Sequence, residues 1–156
     1  RLETRDANAE GAGAIGIGEL IRAALRMRPD RIIVGEVRGK EALDLLQSLN
    51  TGHDGGFSSG HANSVKDMLA RLETMVLMGV QLPLEAIRRQ IASGIEILVH
   101  LGRGEDGNRR VEEIAEITGM EEDEIKTVSL FRREYGRGLQ KTGELVHREK
   151  LEGKTG

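Results

Sequence analysis

Apolar residues in the first part of the chain alternate between helical spacing and short continuous runs. Between residues 17 and 25 they recur at the spacing of an amphipathic helix, and Pro29 ends this pattern. Residues 31–37 form a short β-branched run that is apolar on both faces, as in a buried parallel strand. Helical spacing returns over residues 42–49, and Gly52 follows as a C-cap signal. A helix, a strand and a second helix in this order predict an α/β unit.

A glycine-rich stretch at residues 52–56 separates this unit from the next one. Residues 57–59 predict a short strand. Ser64 and Asp67 have the spacing of a capping box in its acidic variant, and apolar residues then continue at helical spacing until Gly79. This segment therefore predicts a third helix.

The sequence after Gly79 predicts one more helix and then a β-rich part. Pro83 stands where proline opens a helix, as its first residue, and helical spacing continues to Ile91. The later segments are a strand at 95–101, a strand or short helix at 110–117, a strand at 127–131 and a loop at 136–143. We expect the C-terminal strands to form an antiparallel meander, which gives an α/β fold class with a meander at the end.

A chain of 156 residues is long enough for one domain with a real core. The predicted parts are an α/β core at 1–101, a β-rich segment at 102–147 and a polar tail at 148–156. No apolar run approaches the ~18 residues of a membrane span. The absence of cysteine excludes disulfides, Cys-ligated zinc and thiol catalysis.

Charge and aromatic content argue against nucleic acid as a partner. The 23 Lys and Arg residues are outnumbered by 26 Asp and Glu residues, which leaves a net charge of −3. The aromatic residues are Phe57, Phe131 and Tyr135, too few for a platform on which bases stack. We therefore expect no nucleic-acid partner, and we rank a nucleic-acid translocase below the other function classes.

Glu36 lies near the end of the apolar run at 31–37. In open α/β sheets the ligand crevice lies at the carboxyl ends of the strands. A carboxylate at this place can hold Mg²⁺ through water, or polarise a water that attacks a nucleotide phosphate. The alternative is a structural ion pair between Glu36 and Arg38 or another arginine.

A second group of polar residues surrounds the glycines of the next predicted strand: His53, Asp54, Ser59, His61 and Asn63. Glycine lets the backbone approach a ligand closely, so these side chains are candidates for sensing a phosphate. Zinc binding is one alternative, although two histidines at this spacing without cysteine are not a recognised ligand pattern. The other alternative is a pair of exposed or hydrogen-bonded histidines without a ligand.

Arginines form the third group of candidates. Those that precede or flank the predicted strand at 31–37 are Arg1, Arg5, Arg22, Arg26, Arg28, Arg31 and Arg38. A guanidinium suits bidentate contact with phosphate, and an arginine from a neighbouring subunit can stabilise charge in phosphoryl transfer. A structural role is the alternative for each of them.

Two stretches together resemble a known family. Residues 26–39 (RMRPDRIIVGEVRG) and 51–64 (TGHDGGFSSGHANS) resemble the Walker B box and the histidine box of the type II/type IV secretion traffic ATPases, in order and in spacing. Residues 71–78 (RLETMVLM) resemble most closely the Tad/Flp pilus-assembly branch. The likeness covers about residues 1–131.

The resemblance implies a RecA-like P-loop ATPase domain that works in a homo-hexameric ring. Its cofactors would be ATP and Mg²⁺, and hydrolysis would drive a pilus or secretion machine. Its partners would be platform proteins of the inner membrane, so the protein would be cytoplasmic and peripheral at the inner membrane face.

The resemblance also implies roles for single residues. Glu36 would be the Walker B glutamate and would carry the acidic role alone, because Gly35 stands where many other P-loop ATPases have aspartate. His61 would be the histidine-box residue that faces the γ-phosphate. The less diagnostic candidates for nucleotide contact are His53 and Ser59 in the histidine box, Arg1 and Arg5 in the arginine-bearing segment, and Arg26 at the start of the Walker B box.

One family motif is absent from the 156 residues. A phosphate loop needs Gly-x-x-x-x-Gly-Lys-Ser/Thr, and Gly153-Lys154-Thr155 fails because Arg148 occupies the position of the first glycine. The family has this loop upstream of its arginine-bearing segment. We therefore expect the C-terminal part of such an ATPase, with a partial RecA-like core that lacks the phosphate-loop strand and is inactive alone. The alternative is a non-catalytic relative that acts as a ring-interface module.

Overall fold

The computed structural model describes residues 1–52, 55–104 and 106–148. The elements in chain order are α1 (Ile17–Arg26), β1 (Ile33–Val34), α2 (Ala42–Leu49), β2 (Phe57–Ser58), α3 (Val65–Leu77), α4 (Leu84–Gly94), β3 (Ile97–Arg103), β4 (Arg109–Glu121), β5 (Glu124–Glu134) and β6 (Gly138–Lys141). The candidate residues His53 and Asp54 and the predicted tail beyond residue 148 lie outside these ranges.

The four predicted helices are all present, and local capping explains where two of them begin. The Glu19 carboxylate accepts the N–H of Gly16 (2.9 Å) at the start of α1. The hydroxyl of Ser64 accepts the N–H of Asp67 (3.0 Å), which confirms the predicted N-cap of α3. Pro83 is the N-cap of α4 and not its first residue, because its ψ of 137° is extended.

The strand predicted at 31–37 is regular over two residues only. β1 pairs in parallel with β2, with Ile33 opposite Phe57. Regular pairing ends there, and the next contact is a side-chain bond, in which the hydroxyl of Ser59 donates to the carbonyl of Gly35 (2.6 Å). A backbone bond between the two segments follows, from the N–H of Val37 to the carbonyl of Ser59 (3.0 Å). Glu36 therefore lies in an irregular turn that two hydrogen bonds fasten to the neighbouring strand.

The predicted C-terminal antiparallel meander is present as a four-stranded sheet in the order β3-β4-β5-β6. Its last strand, β6, lies inside the segment at 136–143 that was predicted to be a loop, so this prediction was wrong for residues 138–141. The glycines at 136 and 138 both have positive φ at the turn into the strand. The sheet begins at Ile97, so the predicted division at residue 101 falls inside β3.

One hydrophobic core joins the helices to both sheets. It comprises Ile21, Ile32, Val34, Val37, Ala42, Leu45, Leu46, Leu69, Leu72, Met75, Val76, Ile87, Ile91 and Ile117. Ile117 belongs to β4, so the meander packs on the same core as β1. No helix in the described ranges is long and apolar enough to cross a bilayer.

A buried carboxylate fastens the C-terminal segment to the meander. Glu116 on β4 is 2% exposed and accepts the backbone N–H groups of Val146 (2.7 Å) and His147 (2.8 Å). The ring Nδ1 of His147 lies 2.9 Å from the same carboxylate. Burial alone would raise the pKa of Glu116, but these hydrogen bonds outweigh it and hold the pKa below 4.5.

Several strand residues expose apolar side chains. Ile33 and Phe57, which face each other across β1 and β2, are 75% and 70% exposed. Ile97, Val99 and Leu101 are exposed along one face of β3. Within the described part of the chain, β2 pairs only with β1 and β3 only with β4, so each strand has one unpaired edge.

Candidate functional site

The site is built where β1 and β2 end side by side. Because the two strands are parallel, the residues that follow them emerge at the same edge of the sheet. Glu36 follows β1, and His61 follows β2 in the loop before α3. The structure therefore brings together two of the predicted residues that are far apart in the sequence.

Both carboxylate oxygens of Glu36 have a nitrogen partner. The Nε and Nη2 atoms of Arg38 each lie 2.5 Å from Oε2. The Nε2 atom of His61 lies 2.6 Å from Oε1. The hydrogen bond from Arg38 is the main reason that the pKa of Glu36 is lowered, so the side chain is a carboxylate at neutral pH.

The accessibility of these groups suits a site that receives a ligand. The side chain of Glu36 is 22% exposed, whereas those of His61 and Arg38 are 78% and 73% exposed. The carboxylate is therefore largely sheltered, whereas its two partners, a guanidinium and an imidazole, are open to solvent. The structural ion pair considered as an alternative for Glu36 is present, and the contact with His61 exists in addition to it.

A groove of about 370 Å³ is lined by Arg38 and His61, the two partners of Glu36, and its volume is near the lower end of small-molecule sites. Its lining residues are Arg38, His61, Ala62, Asn63, Asp67, Arg71, Thr74, Met75 and Met78. Arg71, on α3, adds positive charge that lowers the pKa of Glu36 further. The groove thus presents guanidinium and imidazole groups beside the carboxylate, together with one acidic side chain.

The other predicted residues lie elsewhere or have other contacts. Ser59 supports the Glu36 turn through its bond to the carbonyl of Gly35. Arg1 forms an exposed ion pair with Glu3 (3.0 Å), and Nε of Arg5 donates to the carbonyl of Gly13 (2.7 Å).

Arg26 is exposed in the last turn of α1 and does not line the groove. His53 falls outside the described residues. The contribution of each of these residues to nucleotide binding stays a prediction.

Two residues near Glu36 were missed by the sequence reasoning. Glu41 accepts the N–H groups of Arg38 (2.7 Å) and Gly39 (3.0 Å) with one oxygen. Arg71 lines the groove. Glu41 could have been found as an acidic residue just before a predicted helix, because such residues often cap turns. Arg71 gives no signal in the sequence beyond its place in the stretch at 71–78.

No group of three or more His, Cys, Asp or Glu side chains in the described ranges could hold a metal ion. A single carboxylate fits Mg²⁺, which keeps most of its waters and is commonly bound through one or two carboxylates together with phosphates. Glu36 is the residue here that fits such indirect binding.

The fold agrees with comparisons to known proteins. The family model described as Type II/IV secretion system protein matches residues 3–136, and the chain belongs to this family. Glu36 and His61 both lie inside the matched range.

Individual relatives support the same family. A putative conjugal transfer protein of Mycobacterium tuberculosis is 43% identical over 136 residues, which cover 87% of this chain and 38% of that protein. The conjugal transfer protein TrbB of Rhizobium radiobacter is 36% identical over 113 residues, 72% of this chain and 34% of that protein. The chain therefore spans little more than a third of the length of these relatives.

A solved structure supports the fold. The crystal structure of the VirB11 ATPase from the Brucella suis type IV secretion system, in complex with sulphate, matches with a TM-score of 0.61 and 39% identity. The match covers 64% of this chain and 31% of that one. The fold of this chain is thus a mixed α/β fold of the kind found in a secretion ATPase.

Proposed function

We propose that this chain provides the Walker B and histidine-box half of the catalytic site in an ATPase that powers a type II/IV secretion or pilus-assembly system. The observation that carries the proposal is the contact of His61 with Glu36 at the carboxyl ends of two paired parallel strands. Membership of the family and the similarity to a VirB11 ATPase support it.

In the proposed reaction Glu36 acts on the water that attacks the terminal phosphate of ATP. The lowered pKa keeps Glu36 ionised, so one oxygen can accept a hydrogen bond from that water and orient it. Mg²⁺ would neutralise charge on the phosphates, and Glu36 would hold it through a water. His61 would turn from Glu36 to donate Nε2–H to the γ-phosphate, where charge redistributes in the transition state.

The nucleotide also needs a phosphate loop, which the 156 residues do not contain. We propose a RecA-like core in which the strand that leads into this loop lies between β2 and β3. Their unpaired edges support this arrangement. Residues 1–156 alone would then not hydrolyse ATP.

The same proposal extends to assembly. The protein would work as a homo-hexamer at the cytoplasmic face of the inner membrane, on platform proteins of the secretion or pilus machine, with Arg1 or Arg5 reaching a neighbouring subunit. The relatives named above are conjugal transfer and type IV secretion proteins, so assignment to the Tad/Flp branch stays a prediction.

Substitution of Glu36 tests the proposed activity in a chain that also carries the phosphate loop. Glu36→Gln keeps the shape of the side chain but removes its charge, so it should abolish ATP turnover and leave ATP binding largely intact. Glu85→Gln, on the exposed side of α4, is the control for loss of one negative charge. Full turnover in Glu36→Gln would reject the proposal, and loss of turnover in both variants would show that the effect is not local. Absence of turnover in the unsubstituted protein would favour the non-catalytic ring module.

A further inference from the structure

Arg38 contacts Glu36 in a way that leaves the two carboxylate oxygens unequal. Its Nε–H donates a hydrogen bond to Oε2 and its Nη2 lies 2.5 Å from the same oxygen, whereas Nε2 of His61 lies 2.6 Å from Oε1. A planar guanidinium that contacts one oxygen through two nitrogens resists rotation of the carboxylate more than a single contact does. Oε1 is consequently the oxygen in contact with the histidine.

The backbone that carries Arg38 is itself fixed. One oxygen of Glu41 accepts the N–H groups of both Arg38 and Gly39. Burial would raise the pKa of Glu41, but these backbone hydrogen bonds outweigh it and lower the pKa, so the acceptor stays ionised. A chain of contacts therefore runs from Glu41 through the Arg38 turn to Oε2 of Glu36.

We propose that Arg38 is a positioning residue for Glu36, with Glu41 as its support. Arg38 keeps Oε2 while Oε1 exchanges its partner, from His61 in the resting site to the attacking water when His61 turns to the phosphate. The inference rests on the proposed ATPase function and adds a division of labour between the two oxygens. It assigns Arg38 no contact with the nucleotide.

The test measures kcat and KM for ATP in the full chain with its phosphate loop. Arg38→Ala should lower kcat by about ten- to a hundred-fold, the scale of a misplaced catalytic group, and leave KM unchanged. Arg38→Lys, which offers one compact donor, should recover part of the rate. Glu41→Ala should lower kcat less than Arg38→Ala, and Glu41→Gln should recover it because the amide oxygen still accepts.

Arg89 provides a matched control, since its side chain is 71% exposed and also pairs with a glutamate, Glu85. Arg89→Ala should leave both kinetic constants unchanged. Thermal unfolding of every variant separates a kinetic effect from loss of the fold, and Arg38→Lys keeps the test informative if Arg38→Ala does not fold.

Three results would overturn the inference. A raised KM with unchanged kcat in Arg38→Ala would mean that Arg38 binds phosphate directly. Wild-type kinetics in Arg38→Ala would show that the contact of Arg38 with Glu36 is a surface ion pair without a role in turnover. Failure of the lysine variant to recover any rate, with the fold intact, would also count against positioning. Turnover in Glu36→Gln would instead reject the ATPase proposal, so the two failures are distinguishable.

Discussion

The Nε2 atom of His61 lies 2.6 Å from Oε1 of Glu36, so two residues from separate sequence boxes are in direct contact. The contact depends on the parallel pairing of β1 with β2, which ends the two strands at one edge. In the proposed ATPase, a phosphate that drew His61 away from Glu36 would also free the carboxylate oxygen. We propose that phosphate binding and activation of the water are coupled in this way through a single side chain.

We expect His61→Ala to lower ATP hydrolysis far more than ATP affinity, because a contact with the γ-phosphate counts most as charge redistributes. Loss of one such contact typically costs about 2.7–4 kcal/mol of barrier, or roughly 10²–10³ in rate. Single-turnover hydrolysis and equilibrium ATP binding would be compared. His100→Ala, on β3 and outside the groove, is the histidine control. Equal losses of rate and affinity would place His61 in ground-state binding only.

An arginine that acts across the ring should reveal itself in mixed assemblies. We expect Arg1→Ala or Arg5→Ala to depress the rate without changing nucleotide binding by the same subunit. Rings mixed from either variant and Glu36→Gln should regain activity, since some interfaces then join an intact site to an intact arginine. Arg5 also holds the carbonyl of Gly13, so its variant needs a check of folding by thermal unfolding. No recovery in confirmed mixed rings would return both arginines to structural roles.

The helices were predictable from the sequence because each buries one apolar stripe against the core. Two strands differ from the prediction, and each difference has a physical reason. The run at 31–37 looks like one strand, but the bond from Ser59 to Gly35 interrupts its ladder, and no pattern of apolar residues encodes that bond. The strand β6 was missed because the glycines at 136 and 138 indicate a loop. The pairing with β5 that makes this segment a strand is a contact formed only in the folded chain.

Four residues that form or line the candidate site were candidates from the sequence: Glu36, Arg38, His61 and Asn63. Glu36 and His61 were found from their boxes, and the structure brings them together. The contact of Nε and Nη2 of Arg38 with one oxygen of Glu36 depends on side-chain geometry in an irregular turn, which spacing along the sequence does not determine. Glu116 was missed for a similar reason, since a glutamate in an alternating strand is ordinarily exposed.

The Glu116 contact predicts a specific dependence of stability on pH. The pKa of Glu116 is lowered in the folded chain, so its stabilising contribution is present above the ordinary value of 4.5 and is lost as pH falls through the lowered value. At pH 7, Glu116→Gln should reduce the free energy of unfolding by about 1–3 kcal/mol, because it leaves buried N–H donors poorly matched.

The difference between wild type and Glu116→Gln should shrink as the pH falls from 4.5 through the lowered pKa, because the wild-type carboxyl then also becomes neutral. Urea unfolding of both proteins at pH 7 and at low pH measures this change. Glu85→Gln is the control for charge alone. A difference that is the same at both pH values would show that the ionised form of Glu116 does not stabilise the C-terminal segment.

Residues 1–156 expressed by themselves should not remain monomeric. The exposed pair Ile33 and Phe57, together with the apolar face and free edge of β3, presents backbone donors and acceptors beside apolar side chains. Such edges invite strand addition from another chain, so this polypeptide should self-associate, exchange elements with another copy or rearrange its sheet.

Size-exclusion chromatography with light scattering measures that association, and ATP titration with a phosphate-release assay tests whether the polypeptide is active. Phe57→Ser and Val99→Lys should each shift the polypeptide toward monomer, because they remove apolar area at β2 or add charge on β3. Tyr135→Ser changes an exposed aromatic residue at the end of β5 and should leave the association unchanged. A monomeric state would contradict the prediction that the unpaired strand edges cause association. Tight ATP binding would contradict the prediction that the polypeptide needs the missing phosphate loop to hold ATP.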